Sequence, residues 1–254
     1  MIKNLLIAFS LAALCACDRD DASPSACKGL VDGVYAFPEL PENHGMTQEE
    51  VTSYWDLPEE VAGCIPGGGL INTILDYPHI GLIMASSSSP QHGYDTYIRA
   101  RFRGARELEN RPDRGTDLLL AYQQVDPLGY NPEWELLEIG RYQFRIFNLE
   151  IVFSQYNNLA ALTTCEKIKL MHLARTVFEQ KRQDEETYGA WGLATTAALM
   201  ARLMKMDEFP AFMAVYDLQE VMLLTERFQP LSIAVLEEIY VISESFLDHL
   251  IRVG

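Results

Sequence analysis

Apolar residues recur at intervals of three and four positions along most of the chain, a spacing typical of amphipathic α-helices. No run of alternating apolar and polar residues, which would indicate half-buried strands, competes with this pattern. We therefore predict an all-α fold, arranged as an irregular helical bundle or as a short α-solenoid of antiparallel helix pairs. The last predicted helix shows the pattern most plainly, with an apolar spine made of Val235, Ile239, Ile242, Phe246 and Leu250.

Short motifs mark several of the predicted helix starts. Thr47-Gln-Glu-Glu50 and Thr163-Thr-Cys-Glu166 are capping boxes, in which the threonine hydroxyl and the later glutamate satisfy free backbone N–H groups. Asn131-Pro132 indicates a third start, with an N-cap followed by proline at the first helical position. These motifs predict a short helix up to about Trp55, a long one up to about Arg182, and another that begins at Pro132.

Residues 27–66 contain several glycines and prolines, and we predict loops and only short helices there. Asp32-Gly33 stands between two short apolar pairs, which fits either a small β-hairpin or a plain turn. Pro66-Gly67-Gly68-Gly69 is not followed by the Gly-Lys-Ser/Thr of a phosphate-binding loop, so we interpret it as a flexible connector. This loop-rich segment and the helices after it form one predicted domain, residues 27–254.

The first residues have the pattern of an export signal. Lys3 precedes an apolar run, residues 5–16, that only Ser10 interrupts. The run is shorter than the roughly 20 residues that a membrane-spanning helix needs. It ends in Leu14-Cys15-Ala16-Cys17, and charged residues follow at once from Asp18.

This segment resembles the signal peptide and lipobox of bacterial lipoproteins. The resemblance implies that residues 1–16 are removed and that Cys17 becomes the lipid attachment residue, carrying diacylglycerol and an acyl chain. Cys15 departs from the small or β-branched residue that is usual at that lipobox position. The alternatives are an ordinary secretory signal cleaved nearby and a buried N-terminal helix. Residues 17–26 are polar and are predicted to be a flexible tether.

The resemblance also implies a location. The folded body would be held by its lipid anchor on the extracytoplasmic face of a membrane in the bacterial cell envelope, either inner or outer. Asp18, directly after the lipidated cysteine, resembles the signal that retains lipoproteins in the inner membrane of enteric-type bacteria. Several acyl chains bind a bilayer far more stably than one does.

Export would bring the remaining cysteines into an oxidising compartment, where disulfides persist. These are Cys27, Cys64 and Cys165. We predict a Cys27–Cys64 disulfide, because both residues flank loop-rich sequence that has no strong core of its own; the alternative is that no bridge forms. Cys165 lies near the start of a strong helix and is predicted to be a buried free thiol.

Composition narrows the classes of partner. Of 254 residues, 48 % are hydrophobic and 22 % are charged, which excludes a largely disordered chain. Asp plus Glu is 36 and Lys plus Arg is 20, so the formal net charge is −16. This negative charge argues against nucleic-acid binding. It favours a basic protein partner, because opposite charges accelerate the encounter of two proteins.

A cluster of arginines interrupts the acidic composition. Residues 94–109 are predicted to form one amphipathic helix, on which Arg99, Arg103 and Arg106 share a face. These three are candidates for contact with a partner or with lipid headgroups. The alternative is structural, because Asp95–Arg99 and Arg103–Glu107 are favourable ion pairs at a spacing of four residues. The cluster consists of Arg99, Arg101, Arg103, Arg106, Arg111 and Arg114.

Motifs for catalysis or metal binding are not evident. No two of the five histidines are three or four positions apart, and the cysteines lack zinc-site spacing outside the signal region. We predict no cofactor, no metal and no catalytic residue. The sequence favours a membrane-anchored binding module for a protein partner, such as an immunity-type or envelope-assembly lipoprotein. The alternative is a helical hydrolase or small-ligand-binding protein whose site is assembled from distant residues.

Overall fold

A computed structural model describes residues 27–42, 45–85 and 88–253. Over these residues the chain is 68 % helical, which confirms the prediction of an all-α fold. The predicted signal peptide at 1–16, the lipid attachment at Cys17 and the tether at 17–26 lie outside the described residues. None of the helices in the described part of the chain has the length and hydrophobicity needed to cross a membrane.

A two-stranded antiparallel hairpin opens the described chain, formed by β1 (Leu30–Val31) and β2 (Val34–Tyr35). The turn residues Asp32 and Gly33 both have positive φ values, 50° and 80°. Positive φ at both central residues is the geometry of a type I′ turn, which matches the twist of hairpin strands. Of the two possibilities for Asp32-Gly33, the chain therefore adopts the hairpin.

Short helices make up the first half of the molecule. The capping box at Thr47 forms as predicted, with the Glu50 N–H donated to the threonine hydroxyl at 3.3 Å. A six-residue π-helical segment, Tyr94–Arg99, follows α5 without a break. The helices are α1 (Gln48–Tyr54), α2 (Glu59–Ala62), α3 (Gly67–Leu75), α4 (Leu82–Ala85), α5 (Pro90–Gly93), α6 (Arg103–Asn110) and α7 (Arg114–Tyr122).

Longer helices make up the second half. The capping box at Thr163 also forms as predicted. The predicted start at Asn131-Pro132 is wrong, because the Asn131 side chain accepts the Glu133 N–H at 3.0 Å in a turn. The helices are α8 (Leu136–Phe153), α9 (Tyr156–Leu159), α10 (Thr164–Gln183), α11 (Glu185–Met206), α12 (Pro210–Tyr216), α13 (Gln219–Arg227) and α14 (Ile233–Val253).

Helix α11 lies at the centre of the bundle and contacts α8, α10, α13 and α14. Its small residues Ala194, Ala197, Ala198 and Ala201 are completely buried, so the neighbouring helices can approach its backbone closely. The hydrophobic core is one contiguous cluster that begins at Leu57 and ends in α14.

A break interrupts α11 near its start. Gly189 has φ 53° and ψ −168°, a backbone conformation that is accessible essentially only to glycine. The turn before Gly189 therefore runs in a different direction from the long segment after it. Tyr188, next to the break, donates its hydroxyl hydrogen to the Pro127 carbonyl at 2.6 Å.

The triple-glycine segment is the first turn of α3 rather than a flexible connector, so that prediction is wrong. A Cβ atom at Gly67 would lie 1.9 Å from a carboxylate oxygen of Asp117 on α7. A Cβ atom at Gly69 would lie 2.0 Å from the carbonyl oxygen of Gly33 in the hairpin turn. At Gly69 a side chain would collide with the backbone of the hairpin turn, whereas at Gly67 it would displace the Asp117 carboxylate.

Cysteines cross-link the loop-rich segment. Cys27 and Cys64 form a disulfide, with their Cα atoms 5.7 Å apart. The bond joins the segment just before β1 to the turn that follows α2. Cys165 is half-buried and is not without a partner, so the prediction of a buried free thiol is wrong.

Candidate functional site

A groove of about 470 Å³ lies between α3, α7 and α8, and we call it the apolar groove. Its walls are mainly aliphatic, and its polar groups lie along the rim. Grooves of this size between helices are common sites for ligands and for partner segments. The residues that line it are Gly68, Asn72, Leu75, Asp117, Leu120, Ala121, Gln124, Val125, Tyr142, Arg145, Ile146 and Leu149.

Polar contacts hold α8 against α3 and against the loop that follows α7. The Arg145 guanidinium pairs with Asp76 and donates to the Asn72 side-chain oxygen at 2.7 Å. Tyr142, one turn earlier on α8, donates its hydroxyl hydrogen to the Asp126 carbonyl. These contacts connect the elements that line the groove.

Large apolar side chains are exposed in and beside the apolar groove. Leu120, which lines it, is 53 % exposed. Trp134 lies beside Tyr142, with 6.0 Å between ring centroids, and Leu136 and Leu137 begin the same helix with most of their surface in solvent. Exposed apolar side chains in and near a groove add to the apolar surface that a partner could cover.

A second depression, of about 330 Å³, is lined only by polar side chains, and we call it the polar cleft. It lies where α5, the π-helical segment and α6 meet the ends of α8 and α13. Gln91 and Gln155 exchange amide hydrogen bonds at 3.0 and 3.3 Å on its wall. The lining residues are Gln91, Asp95, Arg99, Glu109, Gln155, Tyr156, Asn157, Arg202 and Glu226.

Arg202 forms the floor of the polar cleft and is only 2 % exposed. Its guanidinium donates to the carbonyls of Thr225 at 2.6 Å, Glu226 at 3.0 Å and Ser154 at 3.2 Å. These carbonyls lie at the C-terminal ends of α13 and α8, where the helix dipoles carry partial negative charge. The ring of Phe228 packs 4.2 Å from the guanidinium carbon and completes the enclosure.

Glu226 forms another wall of the polar cleft. Although burial opposes its ionisation, hydrogen bonds from Lys205, Tyr156 and Tyr216 lower the pKa of Glu226 below its ordinary value. Lys205 Nζ lies 2.7 Å from the carboxylate, and burial together with the hydrogen bond from Tyr156 raises the pKa of that tyrosine to about 12. The wall is therefore a carboxylate held ionised by surrounding donors.

The three candidate arginines, Arg99, Arg103 and Arg106, do not lie on one helix. Residues 94–109 form the π-helical segment, a turn and α6, so the prediction of a single helix is wrong. Arg103 donates to the Leu57 carbonyl at 2.6 Å, and Arg106 donates to the Ala100 carbonyl at 3.0 Å. These hydrogen bonds give partners to backbone carbonyl groups that lie in turns or between helices.

Arg99, the third of these arginines, lines the polar cleft. Its Nε atom lies 2.9 Å from a carboxylate oxygen of Glu109, while Asp95 is 4.0 Å from its Nη1 atom. The predicted ion pair between Arg99 and Asp95 therefore has a longer N–O distance than the pair between Arg99 and Glu109. Whether any of the three arginines contacts a partner stays a prediction.

Sequence reasoning missed both depressions, because each draws residues from helices that are far apart in the chain. One signal was present for the polar cleft: Arg202 is one of only two charged residues, with Lys205, in the alanine-rich stretch 187–206. A charge in such a stretch must find buried polar partners.

Within residues 27–42, 45–85 and 88–253, no group of three or more His, Cys, Asp or Glu side chains is arranged to hold a metal ion. Comparison with models of protein families, with curated proteins and with solved structures finds no match to this chain.

Proposed function

We propose that this protein is a membrane-anchored binding module on the extracytoplasmic side of a bacterial envelope. Its apolar groove would receive an apolar segment of a protein partner. The apolar groove itself carries the proposal, because it combines about 470 Å³ of space with aliphatic walls and an exposed Leu120. Filling such a groove removes apolar surface from water, which stabilises the complex by about 25 cal/mol per Å².

The charge of the chain specifies the partner further. With a net charge of −16, the protein attracts basic proteins and repels acidic ones at low ionic strength. A partner segment with apolar residues for the groove and lysines or arginines beside them meets both requirements. An incoming toxin captured by an immunity-type lipoprotein and a component of envelope assembly are both partners of this kind.

The anchor rests on the N-terminal sequence. Replacing Cys17 with alanine removes the only sulfur atom that the lipobox pattern makes available for acylation. We expect the Cys17→Ala protein to leave the membrane fraction of its native host. Cys15→Ala is the matched control and should fractionate like the natural chain. Full membrane retention of the Cys17→Ala protein would contradict lipid anchoring.

A site-directed crosslink tests the apolar groove. A photoreactive phenylalanine analogue is placed at Leu120 in the full chain and expressed in the native host. The control carries the same analogue at Val241, which is 63 % exposed on α14. We expect a defined adduct with a basic protein at position 120 and not at position 241.

The crosslinked partner can then be purified, and the dependence of its binding affinity on the groove contact and on charge can be measured. Leu120→Glu should abolish binding, and raising the salt concentration from about 50 to 300 mM should weaken binding by the natural chain. An acidic partner, binding that salt does not affect, or equal adducts at both positions would overturn the proposal.

A further inference from the structure

The polar cleft has chemistry of its own, separate from the apolar groove. We propose that it binds a small zwitterion of the α-amino-acid type, with the ligand carboxylate on Arg202 and the ligand ammonium on Asp95. All of the side chains that line it are polar, and they include both charged guanidinium and carboxylate groups. Its volume of about 330 Å³ is at the small end of the range for ligand pockets.

Arg202 supplies a carboxylate site. No carboxylate among the described residues lies within 4.0 Å of its guanidinium, which is surrounded by neutral carbonyl and amide oxygens. Nη2 donates to Gln91 and Glu226, and Nε donates to Thr225. Nη1 donates only to Ser154, at 3.2 Å, so one of the five N–H groups is left for a ligand oxygen.

Asp95 supplies an ammonium site. Its nearest cation is Arg99, 4.0 Å away, and Arg99 makes its shorter ion pair with Glu109. The Asp95 side chain is 44 % exposed and borders the polar cleft. A ligand ammonium beside it would gain a direct, charge-assisted hydrogen bond that Arg99 does not provide.

The π-helical segment contributes two of the charged side chains that border the polar cleft. Its wider turn is held by bonds such as the one from the Ala100 N–H to the Asp95 carbonyl at 3.1 Å. Asp95 and Arg99 both border the polar cleft from this segment. Isolated π-helical turns inside helices occur frequently at functional sites.

Charge also argues against other small ligands. Three carboxylates border the polar cleft, from Asp95, Glu109 and Glu226, and they would repel a phosphate dianion. A neutral sugar would leave the buried Arg202 guanidinium without a counter-charge. A zwitterion satisfies both kinds of group at once.

The test is calorimetric titration of the full chain in detergent with each of the common α-amino acids. For the tightest ligand, two analogues follow: its α-carboxamide, which lacks the carboxylate charge, and its α-hydroxy acid, which lacks the ammonium. We expect at least one amino acid to bind, and each analogue to bind roughly tenfold more weakly or worse, because each loses one charged contact.

Protein variants complete the test. Asp95→Asn should weaken binding roughly tenfold, whereas Glu59→Gln, an exposed carboxylate on α2, should not change it. Leu120→Glu should also leave amino-acid binding unchanged, which separates this site from the apolar groove. The proposal is overturned if no amino acid binds below about 10 mM. It is also overturned if both analogues bind as well as the parent, or if Asp95→Asn has no effect.

Discussion

The ammonium nitrogen of Lys181 lies 2.6 Å from a carboxylate oxygen of Glu150, and neither side chain is more than 1 % exposed. Thr196 and Tyr122 donate hydroxyl hydrogens to the same carboxylate, at 2.7 and 3.0 Å, and Thr195 also donates to it. Burial lowers the pKa of Lys181, although the charge of Glu150 opposes this. The pair links α8 to α10 and α11 at the centre of the bundle.

Breaking this pair should be costly. Lys181→Met leaves a buried carboxylate without its cation, and we expect the free energy of unfolding to fall by about 3–5 kcal/mol. Urea denaturation followed by circular dichroism measures the change. Arg182→Met is the control, because Arg182 makes only exposed ion pairs with Glu179 and Glu237, worth about 1 kcal/mol or less. A combined Lys181→Met and Glu150→Gln chain should lose less stability than the two single changes added together.

The disulfide should contribute measurably to stability. Cys27 and Cys64 are 37 positions apart, and in the chain-entropy model closing such a loop stabilises the fold by about 4 kcal/mol. Replacing both residues with serine should lower the free energy of unfolding by up to that amount. Peptide mapping without reduction should recover the two cysteines in one cross-linked species. Recovery as separate peptides, together with unchanged stability, would contradict the bridge.

Replacing Gly189, at the break in α11, with any other residue should destabilise the fold. Its φ of 53° with ψ of −168° is strained for any residue with a Cβ atom, so Gly189→Ala should destabilise the fold by about 1–3 kcal/mol. Gly140 is the matched control, because it lies inside α8 and a Cβ atom there would meet nothing within 4 Å. Gly140→Ala should raise the free energy of unfolding by about 0.5–1 kcal/mol. Equal effects at both positions would refute this interpretation.

His79 should make stability depend on pH. Burial and the nearby charge of Arg101 lower its pKa below the ordinary value of 6.5. The unfolded chain therefore takes up the proton first as pH falls, so stability is complete above about pH 6.5 and decreases below it. The rings of Trp55 and Tyr77 pack against the imidazole and cover part of its surface.

The measurement compares unfolding free energies at about pH 7.5 and 5.5. His79→Gln should lose less stability between these values than the natural chain does. His172→Gln removes an exposed histidine from α10 and serves as the control. Titration of the His79 ring by NMR gives the pKa directly, and a value at or above 6.5 would contradict the prediction.

Local sequence patterns predicted the helices because their causes are local. The Thr163 capping box and the apolar spine of the last helix depend on residues within a few positions of one another. The last helix, whose apolar spine was predicted to start at Val235, extends from Ile233 to Val253 in the structure. The lipid attachment at Cys17 stays a prediction from the sequence.

The remaining features depend on contacts between distant residues. Gly67 was interpreted as part of a flexible connector because its sequence neighbours do not reveal the approach of Asp117 from another helix. The apolar groove and the polar cleft exist only after α3, α7, α8 and α13 have packed. Arg202 could be identified as unusual, but its carbonyl partners could not be named without the fold.

The bond between Cys27 and Cys64 also determines how a mechanical load would enter the molecule. Tension applied to the chain ahead of Cys27 passes through the two sulfur atoms to Cys64 and bypasses residues 28–63. The hairpin and α1 are therefore shielded from peeling. Force enters the fold instead at Cys64, next to Ile65, whose side chain is buried in the core.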